Sequence, residues 1–428
     1  MRPLTVSFGK LFHPRRRPLN CGRGVIFILL FAVTLSTVSC NEEPAVLPGI
    51  VRSSLSVSTY PEGAKIYLNN MEKIQLTPAD LDDIEPGFYR LEIKLNNYLD
   101  TVHYVLLKRG LQDKLYFEMR EDPKYWWYSF KSSNSSLPNT SLNKIRIDNF
   151  DRKYFATDYH GLAILSDSVW TFYNPANSAI PADVITDIYP ASDGTVWLTS
   201  PVGIIKFSGN GFTLFNSLNS NLPDDYITSV AEGKDKVMWF GCREGGLLRY
   251  DGINFINYNT DNSGLHSNRI SALACDTSGT VYIGTAGKGV TVFTGSNWRS
   301  INSLTSGLIS DYITRLLIKS DGTLWIGSGY VSSPGGLTRV RGSQLVNYIV
   351  RSADQSARII TDIAFDLKGD VWISTADQGL FYFINNRFIQ YNRTNSGIIS
   401  NDALSVAVDK GGNKWVTSQG VSVYSGRK

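Results

Sequence analysis

Cysteine is scarce in this sequence of 428 residues. There are four, and only Cys242 and Cys275 follow Cys40, which excludes a fold held by a disulfide framework. Histidine is equally scarce. His13 lies in the N-terminal leader, and His103, His160 and His266 fall in different elements without ligand-like spacing, so neither a metal site nor a cofactor is expected. H-E-x-x-H, G-x-S-x-G, P-loop and calcium-loop patterns are missing. Acidic pairs such as Asp82-Asp83 and Asp224-Asp225 sit in turn-rich stretches and read as turn formers. No apolar run of 18 residues follows Cys40, which excludes a membrane-spanning helix in that part of the chain. An excess of charge of one sign is lacking too. Of 42 Lys and Arg, six (Arg2, Lys10, Arg15, Arg16, Arg17, Arg23) lie in residues 1–39, which hold no acid. That leaves 36 bases against 38 acids from Cys40 onward, a net of −2. So even a balance argues against nucleic acid as a partner.

What the chain has is glycine, 37 residues, and aromatics, 12%, the composition of a turn-rich all-β protein. It also has a repeat. The stretch TLWIGSGYVSSPGGLTRV, Thr323 to Val340, is an apolar run ending in an aromatic and a small residue, then a glycine turn, then a second apolar run. Similar units carry Phe155, Trp197, Trp239, Tyr282, Trp325, Trp372 and Trp415, spaced by 42, 42, 43, 43, 47 and 43 residues. A period of about 40 to 50 with several strands per repeat indicates a β-propeller. Cys242 and Cys275 fall in neighbouring repeats at different strand positions and read as two isolated buried thiols, with a bridge as the alternative.

One period, taken from Ile313, gives strand a at 313–318 with inward–outward alternation, a turn at Asp321-Gly322, strand b at 323–327, a b–c loop containing Gly335-Gly336, strand c at 337–341 and strand d at 344–349. The last repeat ends without strand d, while Trp126-Trp127-Tyr128-Ser129-Phe130 matches the d strands of other repeats. The expected domain is therefore 125–428, seven four-stranded blades, with 126–130 closing the last one and removing a free edge. These repeats resemble the two-component regulator propeller, whose core reads I-x-D-x-x-G-x-(V/L)-W-(I/V)-G-T-x-x-G-G-(L/V). Ile185 to Ile204, Ile313 to Leu337 and Ile360 to Leu380 fit well. The first repeat departs most, with Asp151-Arg152 in place of Asp-Gly. In its best-known setting that family forms the periplasmic sensor regions of hybrid histidine kinases, often for glycans, so the resemblance implies a ligand-sensing fold, while no kinase or receiver pattern in this sequence supports direct signalling.

Before the propeller, residues 51–120 contain strands at Ser54–Thr59, 65–68, 88–93, 102–107 and 114–119. The run Pro61-Glu62-Gly63-Ala64, with Thr77-Pro78, Pro86-Gly87-Phe88-Tyr89 and Asn97-Tyr98, resembles the PEGA domain. Asn97 stands where that family often has Gly. The resemblance implies a small β-sandwich of envelope proteins without enzymatic role. Residues 1–39 read as a signal peptide: a basic region, the apolar run Val25 to Leu35, then small residues. Ser39-Cys40 resembles a bacterial lipobox, with Thr37 where Leu is usual. The resemblance implies that Cys40 is acylated, that 40–50 is a flexible tether, and that the protein is an outer-membrane lipoprotein of the cell envelope of Bacteroidetes-type bacteria, with Asn41-Glu42-Glu43 as a surface-export tag.

The repeat tryptophans occupy one strand position in every blade, which assigns them to packing between blades. The recurring Asn-Ser before strand a, as at Asn177, Asn219, Asn262 and Asn395, is expected to shape a loop. Residues that vary where the repeat is otherwise constant carry the functional expectation. In the b–c loops, at one rim of the channel, these are Tyr159, His160, Arg243, Glu244, Lys288, Tyr330, Asp377 and Gln378. Aromatics with scattered amides and charges suit a sugar or peptide. The expected function is a lipid-anchored binding or scaffold protein, not an enzyme, that recognises an extracellular carbohydrate or another envelope component. The alternative is a propeller enzyme of lyase or glycosidase type, which would need paired carboxylates at one rim.

Overall fold

The computed structural model describes residues 51–122, 124–138, 140–209, 211–331, 335–351 and 359–426. The leader, Cys40 and the tether lie outside the described residues. The N-terminal domain is two sheets face to face. One has three strands in the order Ala79–Ile84, Ser53–Tyr60, Gln112–Glu118; the other has four in the order Met71–Leu76, Lys65–Leu68, Gly87–Lys94, Thr101–Leu107. Ser53–Tyr60 alternates as its sequence requires, so Leu55 and Val57 meet Ile66, Leu68, Leu91 and Ile93 in one buried core. Met71–Leu76 and Ala79–Ile84 are strands that the sequence did not announce. Both lie at sheet edges; Met71–Leu76 has mostly exposed side chains and is a strand by ladder pairing, while Ala79–Ile84 sends only Leu81 and Ile84 into the core, without period-two alternation. Asn97 has φ of +74°, the left-handed conformation that glycine favours and Asn tolerates, which accounts for the exchange at that position.

The rest is seven four-stranded antiparallel sheets, spanning 142–173, 187–215, 227–258, 270–301, 313–348, 360–391 and 405–424. The seventh takes its outer strand from Trp127–Phe130, which pairs with Val421–Tyr424. Phe130 stacks on Trp415 at 5.8 Å, and Trp127 packs on Tyr391 and Tyr424. Strand a of each blade lies beside strand a of the next, so these strands form the inner ring. In blade 1, Asp151, not Arg152, occupies the place of the turn glycine. Its φ of +67° matches the +80° of Gly322, so the departure leaves the hairpin geometry intact.

Blades are joined by the repeat aromatics. Trp197, Trp239, Trp325 and Trp372, all at most 6% exposed, each reach an aromatic of strand c in the following blade. The partners are Tyr250, Phe293, Phe383 and Tyr424, at 5.6, 6.0, 5.9 and 5.8 Å. The Asn of the Asn-Ser pair shapes the chain after strand d. Asn219 Oδ1 accepts from Asn216 N and its Nδ2 donates to Leu214 O, and Asn262 and Asn395 repeat this. Short helices at Ser217–Ser220 and Ser303–Ser306, capped by Asn216 and Asn302, grow from the same connection.

Strand a does not alternate with period two. Ile313–Ile318 is buried at its first and fourth residues. The cause is a bulge after the first residue, between Ile313 and Arg315 and at the same place in blades 3, 4 and 6. The residue in the bulge is a hydroxyl in most blades, and it latches the next blade. Thr186, Thr228, Ser271 and Thr361 donate to the carbonyls of Ile227, Ile270, Ile313 and Ala403 at 2.5–2.7 Å.

Candidate functional site

The b–c loops share a rim with the residues that precede strand a. The first loop residue donates its N–H to that residue in several blades: Arg243 to Tyr226, Ala286 to Arg269, Gly329 to Tyr312, Ala376 to Ile359. Sequence reading found the loop half of this rim and missed Tyr226, Arg269 and Tyr312, which no motif marks. Blades 3 to 5 turn these two halves into an arc. The Arg243 guanidinium lies over the Tyr226 ring at 4.7 Å, and Arg269 Nε meets Glu244 Oε1 at 3.3 Å, both side chains more than half exposed. Tyr312 lies beside the blade 4 loop that carries Lys288, and its ring stacks on Tyr330 at 4.8 Å, 16° from parallel. Tyr312 and Tyr330 are 38% and 51% exposed.

The remaining candidates are placed less evenly. Tyr159 is 73% exposed in blade 1, two blades from Arg243. His160 is half-buried; its N–H donates to Thr157 Oγ1 at 2.8 Å, and its Nδ1 is buried without a hydrogen-bond partner. Asp377 and Gln378 are half-buried in blade 6, next to the blade of Tyr330. Gln378 is tied to strand d, accepting from Gln390 Nε2 at its carbonyl (2.8 Å) and its side-chain oxygen (3.2 Å).

A second polar cluster, which the sequence reading did not single out, occupies the inner ring. Two residues after the buried apolar residue opening each strand a stand Lys144, Asp187, Ser229, Ala272, Arg315, Asp362 and Ser405. Arg146 joins them from further along its strand. Its Nη1 meets Asp362 Oδ2 at 2.9 Å and its Nη2 meets Asp187 Oδ1 at 3.3 Å. Arg315 Nε meets Asp362 Oδ1 at 2.7 Å, and Ser405 Oγ donates to Asp362 Oδ2. Burial opposes the charge of Asp362, but Arg146, Arg315 and Lys144 outweigh it and hold the carboxyl well below the usual carboxylate range. Burial pushes the Lys144 ammonium down, the two arginines adding to it against the pull of the carboxylates. The signal that could have found this cluster was the variability of one strand-a position between constant neighbours.

Elsewhere, Cys242 and Cys275 are unbonded, and burial raises both thiols well above their ordinary value. A concavity of about 540 Å³ lies between the two domains, lined by Leu99, Arg120, Trp126, Ile389 and Tyr391. Among the described residues no three His, Cys, Asp or Glu gather as metal ligands, and no helix is long and apolar enough to cross a membrane.

Comparison with known proteins bears on the fold. The PEGA domain is matched over residues 52–122, and the two component regulator propeller over 221–244 and 307–330. No curated protein matches the chain. Among solved structures, the extracellular domain of one hybrid two component system of B. thetaiotaomicron is 18% identical with a TM-score of 0.61, over 82% of this chain and 53% of that one. That of another is 16% identical at 0.56, over 70% and 39%. Virginiamycin B lyase from Staphylococcus aureus is 15% identical at 0.56, over 69% of this chain and 98% of the lyase. The chain thus spans about half or less of the sensor domains it resembles, and at these identities the likeness establishes the fold alone. The chain carries a PEGA match followed by a seven-bladed β-propeller, two stretches of which match the two component regulator propeller, and it shares its fold with part of those extracellular domains.

Proposed function

We propose that the protein is a lipid-anchored receptor or scaffold of the cell envelope that binds an extracellular ligand, a carbohydrate in the first instance, on the b–c rim without transforming it. The observation that carries this reading is the exposed Tyr312–Tyr330 stack beside Lys288, with Arg243 laid on Tyr226 along the same arc. A sugar offers an apolar face and a ring of hydroxyls. Flat aromatic and guanidinium surfaces complement the first, while Glu244, Arg269, Lys288 and Gln378 complement the second. The extracellular placement of the similar sensor domains supports the location, and the Ser39-Cys40 junction supports outer-membrane attachment by acylation of Cys40, with an envelope protein as a further partner. The lyase likeness keeps one alternative in view, an enzyme acting on an extracellular glycan.

The test is a glycan-array screen followed by calorimetry on any hit. Tyr330→Ala and Arg243→Ala should each weaken binding by about 1–3 kcal/mol, roughly 5- to 150-fold. If both bind as the parent does, the rim is not the site; if the parent consumes the ligand, the enzyme reading replaces this one. For the anchor, Cys40→Ala should release the protein from the membrane fraction and stop incorporation of labelled fatty acid. Unchanged retention would end that part of the proposal.

A further inference from the structure

The inner ring holds more hydrogen-bond donors than acceptors. Asp362 is saturated: both oxygens are engaged by Arg146, Arg315 and Ser405, and Oδ1 also accepts from Ile363 N at 2.9 Å. Asp187 accepts from Arg146 and from Ile188 N at 3.0 Å. Arg315 Nε is ion-paired with Asp362 Oδ1 at 2.7 Å but makes no hydrogen bond there, and among the described residues neither its terminal nitrogens nor the Lys144 ammonium meets a protein acceptor. Three basic groups (Lys144, Arg146, Arg315) stand against three carboxylates (Asp187, Asp362 and, at the cavity wall, Glu232), so the imbalance is one of hydrogen-bond donors rather than of charge. A guanidinium carries five donors in a fixed fork, and buried donors demand acceptors.

The excess opens onto a cavity. Arg146 and Arg315, 13% and 17% exposed, line a space of about 330 Å³ at the a–b end of the channel. Its other walls include Tyr189, Val230, Ala231 and Leu273, and the half-buried Tyr189 phenol is pushed up to about 12, chiefly by desolvation, so it is a neutral donor. Glu232 also lines the cavity, but its carboxylate is held by Ser192, from N at 2.9 Å and Oγ at 2.5 Å. The space therefore offers a guanidinium floor with free donors on Arg315, and apolar side walls at Val230, Ala231 and Leu273. That volume suits a small molecule.

We infer that this cavity is a binding site for a small monocarboxylate with an apolar body, its carboxylate on Arg315 and Arg146 and its body along Val230, Leu273 and Tyr189. Such a ligand supplies the acceptors that the Arg315 fork lacks, and a bidentate guanidinium–carboxylate pair is the geometry that fork favours. The site is separate from the b–c rim, and neither reading depends on the other.

Benzoate is the probe, with benzamide as its neutral counterpart, titrated into the purified protein by calorimetry. Benzoate should bind at least tenfold more tightly than benzamide and raise the thermal midpoint. Arg315→Gln should remove that preference. Ala231→Leu, which fills the cavity without altering any charge, should abolish binding of both, and Tyr330→Ala should leave it unchanged. Ala231→Leu decides the matter if Arg315→Gln does not fold. Absence of benzoate binding to the parent, equal affinity for the two probes, or parental affinity in Ala231→Leu would overturn the inference.

Discussion

The inner ring and the b–c rim are built from the same repeat, and both hold residues that the repeat leaves free to vary, yet they handle charge in opposite ways. On the rim, Glu244 and Arg269 meet at 3.3 Å with each side chain more than half exposed, so water screens the pair and either partner can turn to a ligand. In the ring, Asp362 is fully buried and answers to two guanidiniums and a hydroxyl at once. Variation within a repeat thus has two meanings, set by depth. At the surface it is freedom to meet a partner. In the interior it is a set of complementary choices, in which a cation on one blade requires an anion on another.

The sharpest way to break this contrast is Asp362→Ala. It leaves Arg146 and Arg315 buried with their shared partner gone, and should cost about 3–5 kcal/mol in urea unfolding. A loss under 1 kcal/mol would show that the ring is solvated like the rim. Acid should act on the same residue more gradually. The folded pKa of Asp362 is depressed, so the stability it lends is fully present above the unfolded carboxyl value of about 3.9 and is lost as pH falls from there toward the folded value. Asp362→Asn should flatten the acid limb of stability against pH; an acid limb matching the parent's would place the charge effect elsewhere. Thr361→Val removes one latch between blades, the 2.5 Å bond to Ala403 O, and should cost roughly 1–2 kcal/mol by chemical denaturation. At the small end, Tyr330→Ala should change stability by no more than about 0.5 kcal/mol, since the ring is half exposed and, among the described residues, stacks on Tyr312 alone. A larger loss would mean the arc is structural.

How much of this was legible depended on whether the signal was periodic. The tryptophans and the Asn-Ser pairs recur at fixed places because every blade needs the same joint and the same turn, so they could be read without structure. Strand a also recurs, but its bulge shifts the phase of burial, and an alternating reading of Ile313–Ile318 could not show that Arg315 faces the ring cluster. Met71–Leu76 was illegible for another reason: its pairing is supplied by Lys65–Leu68, and its own residues carry no buried face. On the rim, Arg243 and Tyr330 stood out as breaks in a repeated loop. Their partners Tyr226 and Tyr312 did not, because spatial neighbours that far apart in sequence leave no local trace.

The closing strand has a consequence for the order of folding. Ser425 Oγ donates to Trp126 O at 3.0 Å across 299 residues of sequence, and Trp127–Phe130 beside it waits for Val421–Tyr424. The circle therefore cannot shut until residues 421–424 are in place, and until then Trp415 lacks its stack on Phe130. Any arc formed from the earlier blades alone keeps a bare strand edge, which only this long-range pairing hides.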